Sequence, residues 1–270
     1  SKVRVPVSQA GGVWYVNGDD LYGLSDEEST ITIPVKSDYD YTVDMPAWIT
    51  GEKVKEGYNF TLTENTTGNA RKGTVIFKSQ KGTKEITFVQ FGVNDIAGTY
   101  EATYSTFGEG DDWVSETVKI ELLQDEENEA VFYADGLSSI RGVVLPLKFD
   151  GETYQLSALN GQYLGFIESQ KWYLYTIVRS EAGYVHADTS LSYPAIAELD
   201  VDDEELMPFF PFKDKKGFSF TGETGTIKSF IDAIGVYVFA SKSPTFGNNN
   251  NLGYYDIFKG LSIKKIKADH

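Results

Sequence analysis

Histidine and cysteine, which supply many catalytic bases and nucleophiles, are scarce or absent in this 270-residue sequence. The chain has two histidines, His186 and His270, and no cysteine. A serine triad would have to be built on His186, inside the strand-like segment 184–189, and a histidine or thiolate metal site lacks ligands. The sequence has no P-loop, no dinucleotide-binding glycine pattern, no Gly-x-Ser-x-Gly elbow and no His-Glu-x-x-His helix. These absences favour a protein that is not an enzyme.

Carboxylates, in contrast, are abundant, with 40 Asp and Glu residues. A carboxylate-based glycoside hydrolase remains an alternative, since it needs only two acidic side chains about 5–10 Å apart across a cleft. Two acidic runs, 108–112 and 200–205, could offer oxygen ligands to Ca²⁺. Neither has the spacing of an EF-hand loop, and solvated loops explain both. We therefore expect no cofactor, with calcium as the one candidate.

Aromatic residues, 14% of the chain, provide the remaining class of site. Sugars present flat apolar faces, which suit exposed Trp or Tyr rings beside amide and carboxylate groups. The candidate rings follow polar loops: the acidic loop 108–112, the turn at 160–162 and the asparagine run 248–251. The predicted ligand-binding residues are Trp113, Tyr163, Asn249, Tyr254 and Tyr255.

The net charge of −16 argues against nucleic acid and anionic membrane surfaces as partners, because an acidic field repels both. The charge is also uneven along the chain. Residues 1–95 hold 13 acidic and 10 basic side chains, a net charge of −3, whereas residues 96–270 hold 27 and 14, a net charge of −13. This change indicates a domain boundary near residue 95.

Alternation of apolar and polar residues with period two runs through most of the chain and predicts an all-β, antiparallel fold. The segment 172–178 is apolar on both faces, which predicts a strand buried on both sides. Only the segment 227–233 has the spacing of a short helix. Two β-domains, residues 1–94 and 95–270, fit this pattern better than one long meander.

Residues 24–92 contain a series of short motifs. They are Ile33-Pro34-Val35, Pro46-Ala47-Trp48-Ile49-Thr50, Asn65-Thr66-Thr67-Gly68, Ala70-Arg71-Lys72-Gly73 and Val89-Gln90-Phe91-Gly92. The series resembles the BACON domain, an immunoglobulin-like β-sandwich common in exported Bacteroidetes proteins. The sequence departs from the family pattern at Tyr41, where the family often has tryptophan, and after Thr50, where a proline-glycine turn usually follows.

The resemblance implies an extracytoplasmic protein, on the outer-membrane surface or in the periplasm, whose N-terminal sandwich is a spacer. Residues 96–270 are similar to β-rich modules of Bacteroidetes surface lipoproteins, for which no activity is implied. We expect this part to be a barrel, of lipocalin type, or a second sandwich, and to bind a glycan or another surface protein. A membrane would be contacted only through an N-terminal lipid anchor that this sequence does not contain. A second non-enzymatic hypothesis is a barrel enclosing a small apolar ligand.

Overall fold

The computed structural model describes residues 12–222, 225–247 and 249–267. Regular structure in these ranges is β-strand, apart from two single-turn 3₁₀ segments at Val93–Asp95 and Glu109–Asp111. The all-β prediction is confirmed. Neither of these short helical segments is long and apolar enough to span a membrane.

The chain divides into two compact units, the first ending at Asn94 and the second beginning at Asp95. In the first unit the strands are β1 (Trp14–Val16), β2 (Leu21–Leu24), β3 (Ser29–Ser37), β4 (Tyr41–Asp44), β5 (Ile49–Val54), β6 (Gly57–Leu62), β7 (Arg71–Ser79) and β8 (Gly82–Gln90). They form two four-stranded sheets, ordered β1-β3-β6-β5 and β2-β8-β7-β4. Every pairing is antiparallel except that of β2 with β8, which is parallel.

The two sheets bury one shared apolar cluster, as the alternating sequence of each strand predicts. Both sheets contribute to it: Val16, Ile33, Ile49, Phe60 and Leu62 from one, and Val75, Phe77, Ile86 and Phe88 from the other. The first unit is therefore a β-sandwich.

The motif residues of the first unit meet in one polar network between the sheets. The Arg71 guanidinium lies over the Trp48 ring, 4.4 Å from its centroid, and donates through Nε to Gln90 Oε1 at 2.9 Å. Gln90 is fully buried, and its amide donates to the carbonyl oxygens of Glu27 and Thr63. These contacts join the two sheets and stabilise the sandwich.

Two glycines of the same motifs make room for this network. A Cβ at Gly73 would lie 2.6 Å from Pro46 Cγ and 2.7 Å from the Trp48 ring. A Cβ at Gly92 would overlap the carboxylate of Asp26, which accepts a hydrogen bond from the Asn94 amide. Both positions therefore exclude any larger residue.

The second unit contains fourteen strands among its described residues. They are β9 (Gly98–Phe107), β10 (Trp113–Gln124), β11 (Val131–Asp135), β12 (Leu145–Asp150), β13 (Gln155–Leu159), β14 (Tyr163–Ile167), β15 (Trp172–Ser180), β16 (Val185–His186), β17 (Ser192–Ile196), β18 (Phe209–Pro211), β19 (Phe218–Gly222), β20 (Gly225–Ser229), β21 (Ile231–Phe239) and β22 (Asn251–Lys265). The expected helix at 227–233 is wrong. Its apolar residues occupy β20 and the start of β21, and Phe230 lies between the two strands.

Eight strands of the second unit curl into a closed ring. The order β22-β9-β10-β11-β12-β13-β17 is continuous, and β18 pairs with β22. Two isolated bridges, Ala195 with Phe212 and Glu198 with Phe209, join the β17 and β18 segments and close the ring. The second unit is therefore built on a barrel.

The barrel interior is filled by its own side chains. Its central space has no room for a water molecule and is lined by Ile120, Ala134, Leu137, Leu145, Leu147, Ala158, Phe212, Leu261 and Ile263. These apolar side chains thus form a packed core. The space that these residues line therefore offers no cavity for the small apolar ligand of the second non-enzymatic hypothesis.

A second part of the same sheet extends away from the ring, and we call it the wing. It consists of β14, β15, β21 and the first half of β22, and the short β16 pairs with β15. β22 belongs to both parts: residues 251–259 pair with β21, and residues 259–265 pair with β9. The prediction of a doubly buried strand is confirmed, since Leu174–Val178 of β15 are all buried.

The segment between the units is ordered and tied down at its C-terminal end. Asp95 and Ile96 are buried. Lys265 Nζ donates to the Asp95 carbonyl at 2.8 Å, and the Tyr100 hydroxyl donates to the Ile96 carbonyl at 2.7 Å. The second unit therefore begins with a fixed turn.

Candidate functional site

Three exposed aromatic side chains and one half-buried ring, that of Tyr173, form a patch on one face of the wing. We call Tyr163, Phe166, Tyr173 and Phe246 the aromatic surface. The Tyr163 ring lies 5.3 Å from the Tyr175 ring, and the Phe166 ring lies 4.5 Å from the Tyr173 ring. Tyr163 is 49% exposed and Phe166 is 36% exposed, so both rings are held from below and open to solvent above.

A β-bulge brings the two outer rings onto the same face. Tyr163 and Phe166 are three residues apart, a spacing that points side chains to opposite faces of a regular strand. The register shift between Tyr163 and Gly165 places Tyr163 opposite Tyr175 and Phe166 opposite Tyr173. Because Tyr173 and Tyr175 are two residues apart on β15, the paired rings lie side by side, about 7 Å apart along the strand.

Buried rings beneath the surface fix its shape. Tyr175 lies 5.7 Å from Phe239, and Phe246 lies 5.4 Å from Phe239 and 5.5 Å from Tyr237. The Tyr175 hydroxyl donates to the Lys242 carbonyl, and burial is the main reason that the pKa of Tyr175 is raised. These ring contacts restrict the orientations of the outer side chains of the aromatic surface.

One asparagine holds the described part of the loop that carries Phe246, residues 240–247 and 249–250. Asn250 Nδ2 donates to the carbonyls of Ser243 at 2.8 Å and Thr245 at 2.9 Å, and its backbone pairs with Ala240 and Gly247. Asn250 is therefore a structural residue. Its neighbour Asn249, a predicted ligand-binding residue, is exposed and has a left-handed backbone, φ +58°.

Charged groups border the aromatic surface at the β14–β15 turn. Lys171 and Glu168 form an exposed ion pair across this turn, and Lys171 Nζ lies 5.8 Å from the centre of the Phe166 ring. An ammonium and a carboxylate beside exposed rings could donate and accept hydrogen bonds with the hydroxyl groups of a sugar stacked there.

Tyr254 lies on the same face of the wing but deeper in the sheet. Its ring is 4.8 Å from Tyr237, and its hydroxyl donates to the Ile177 carbonyl at 3.2 Å. Gly235 makes room for it, since a Cβ there would lie 2.9 Å from the Tyr254 ring. Burial raises the pKa of Tyr254. The ring therefore serves the packing of the wing, with its polar end already bonded.

Trp113 lies in a cluster of cations. Its ring is 4.7 Å from Phe107, with Lys259 Nζ 4.5 Å and the Arg179 guanidinium 5.5 Å from its centre. Asp232 Oδ2 lies 3.5 Å from both cations. These contacts anchor the half-buried ring to the protein's own charges.

Tyr255 is as exposed as Tyr163, at 48%, but belongs to a different neighbourhood. Its ring lies 6.0 Å from Trp172, which precedes Tyr173 on β15 and so points to the opposite face of the strand. Of the five predicted residues, the structure therefore places Tyr163 alone within the aromatic surface.

The described histidine and the described carboxylates with a shifted pKa make local contacts within the second unit. Burial lowers the pKa of His186, against the raising effect of Asp188, and the His186 ring contacts Phe218. Among the described residues, the carboxyl groups whose pKa departs from the usual range have it lowered, chiefly by hydrogen bonds within turns. These groups are Asp125, Asp150 and Asp188. Among the described side chains, no three His, Asp or Glu residues are grouped in a way that could hold a metal ion.

A cleft of about 670 Å³ beside β17 and β18 was missed by the sequence interpretation. Three of its lining residues are lysines on one turn: Lys213, Lys215 and Lys216. A signal for it was present, since Lys-Asp-Lys-Lys at 213–216 is a basic run in a region of strongly negative charge.

No protein-family model and no curated protein matches this chain. Among solved structures it is similar to a Bacteroides ovatus GH5 xyloglucanase in complex with a XXXG heptasaccharide, at a TM-score of 0.27 and 19% identity. The similarity covers 30% of this chain and 20% of the xyloglucanase chain. A likeness this partial carries no argument about function.

Proposed function

We propose that the protein is a non-enzymatic carbohydrate-binding protein whose second unit takes a neutral glycan on the aromatic surface. The observation that carries the proposal is the pair of exposed rings, Tyr163 and Phe166, lying side by side on buried or half-buried partners. Pyranose rings have apolar C–H faces, and rigid aromatic side chains can bury such faces at little entropic cost. The flanking Lys171 and Glu168 supply polar contacts for the hydroxyl groups.

In this proposal the first unit is a spacer that presents the second. The motif residues Trp48, Arg71 and Gln90 are engaged in internal contacts, which suits a domain selected for folding stability. The resemblance of residues 24–92 to a domain of exported proteins supports an extracytoplasmic location, and a glycan or surface protein is the partner that such a location would provide.

The test is affinity electrophoresis of the whole chain in gels containing neutral polysaccharides, namely hydroxyethylcellulose, galactomannan or arabinoxylan. We expect retardation by at least one of them. Tyr163→Ala and Phe166→Ala should each weaken binding about tenfold, the equivalent of about 1.4 kcal/mol for one lost ring contact.

Tyr255→Ala is the matched control, since it removes a ring of equal exposure near Trp172 and should leave binding unchanged. Equal losses in all three variants would show a general effect on folding and would contradict the assignment. Absence of retardation across a broad panel of neutral glycans would overturn the proposal.

A further inference from the structure

The lysine-lined cleft is a built feature of the barrel's closing segment. The turn at 213–217 follows β18, and the Lys213 amide donates to the Pro194 carbonyl of β17 at 2.7 Å. Asp214 accepts three backbone hydrogen bonds, from Lys216 at 2.9 Å, Gly217 at 3.0 Å and Ile231 at 3.0 Å. The turn is therefore held at both ends before any ligand arrives.

This geometry leaves a local excess of positive charge. Within the described ranges, the ammonium groups of Lys213, Lys215 and Lys216 make no ion pair with an acidic side chain. The carboxylate of Asp214 is directed to backbone amides. Glu198 lines both the cleft and a neighbouring depression that also contains Asp200 and Asp203. It therefore lies at the border between the two.

The remaining walls are partly apolar and partly hydrogen-bonding. Pro194, Pro211 and Phe218 contribute apolar surface, and the Phe218 ring is fixed edge-to-face against His186 at 4.8 Å. Gln155 and Ser192 line the same space. The volume, about 670 Å³, lies in the range of small-ligand sites, roughly 300–1,000 Å³.

We propose that this cleft is a second binding site, separate from the aromatic surface, for a short oligosaccharide of uronic acids. The carboxylates of the oligosaccharide pair with the three lysines of the cleft. Its hydroxyl groups form hydrogen bonds with Gln155 and Ser192, and its C–H faces pack against Phe218 and the two prolines. An acidic peptide fits less well, because recognition of an extended peptide uses an open strand edge, and the β17 edge is occupied by the bridges to β18.

The experiment is isothermal titration of the whole chain with α-1,4-linked trigalacturonate, and with its trimethyl ester as the uncharged match. We expect trigalacturonate to bind, with affinity that falls as salt is raised, and the ester to bind at least about tenfold more weakly. Lys215→Gln combined with Lys216→Gln should lower the affinity for trigalacturonate at least about tenfold. Lys119→Gln combined with Lys148→Gln makes the same change in net charge at exposed positions outside the cleft and should have no effect.

Three results would overturn the inference: no binding of trigalacturonate, equal binding of the ester, or equal losses in both double variants. Hexaglutamate binding as tightly as trigalacturonate, and lost in the Lys215/Lys216 variant, would assign the cleft to acidic peptides and also overturn it. Tyr163→Ala should leave trigalacturonate binding intact, so this inference and the proposed function can fail separately.

Discussion

Replacing Gln90 by leucine should destabilise the first unit strongly while preserving side-chain volume. The buried Gln90 side chain makes three hydrogen bonds, one with the Arg71 guanidinium and two with the backbone carbonyls of Glu27 and Thr63. A bond to a charged group contributes about 1.5–3 kcal/mol and a neutral one about 1 kcal/mol, so the loss is about 4 kcal/mol. A domain of this size has a total stability of about 5–15 kcal/mol.

The assay is hydrogen exchange of the whole chain, followed by mass spectrometry of peptides from β7 and β8, together with a thermal melt. A loss of about 4 kcal/mol corresponds to a fall of about 15–30 °C in the melting temperature of the first unit. Thr87→Val is the matched control on the same strand. It removes a single hydroxyl–hydroxyl bond of 3.0 Å to Thr74 and should cost no more than about 1.5 kcal/mol.

The reasoning is refuted if Gln90→Leu costs no more than Thr87→Val. Such a result would mean that Arg71 finds equivalent partners without Gln90, so that the network is dispensable. Faster exchange of β15 and β21 peptides in the same variant would contradict the division of the chain into separately stable units.

Three further outcomes are expected. Above pH 10 the free energy of unfolding of the second unit should fall by up to about 1.4 kcal/mol per pH unit for each tyrosine whose pKa is raised by burial. The reason is that the unfolded chain loses phenolic protons that the folded unit keeps. Urea titrations at pH 9 and pH 11 measure this change. The tyrosines whose pKa burial raises in this way are Tyr100, Tyr193 and Tyr254. Gly235→Ala should destabilise the second unit by more than about 2 kcal/mol in denaturant melts, because its Cβ would overlap the Asp256 carbonyl, whereas Gly151→Ala, with its nearest neighbour 3.9 Å away, should be neutral. Limited digestion with the broad-specificity protease proteinase K should cut the exposed segment 200–205 and spare the ordered turn at 93–95; early cleavage at that turn would contradict the fixed start of the second unit.

Much of the fold follows from local sequence patterns, because strand alternation depends on neighbours two residues apart. The all-β class was predictable from this pattern alone. The short helix at 227–233 failed because a break between two strands, at Phe230, produces the same apolar spacing as one helical turn. Ring closure depends on single bridges such as Ala195 with Phe212, which leave no periodic trace in the sequence.

The candidate sites were less accessible to sequence reasoning. Tyr163 and Tyr254 both follow polar loops, yet the first is exposed and the second is half-buried, since a missing side chain at Gly235 admits the Tyr254 ring. Phe166 was passed over because the bulge at Gly165, which turns it to the side of Tyr163, is a tertiary feature. The cleft draws on segments from Gln155 to Ile231, and only the closed barrel brings them together.

The bulge in β14 also bears on how molecules of this protein behave at high concentration. β14 is an outer strand of the wing, and an unpaired strand edge can template a strand from a second molecule. The shifted register at Tyr163 and Gly165 interrupts the row of amides and carbonyls that such templating requires. The bulge that places Tyr163 and Phe166 on one face therefore also makes β14 a poorer template for a strand of a second molecule.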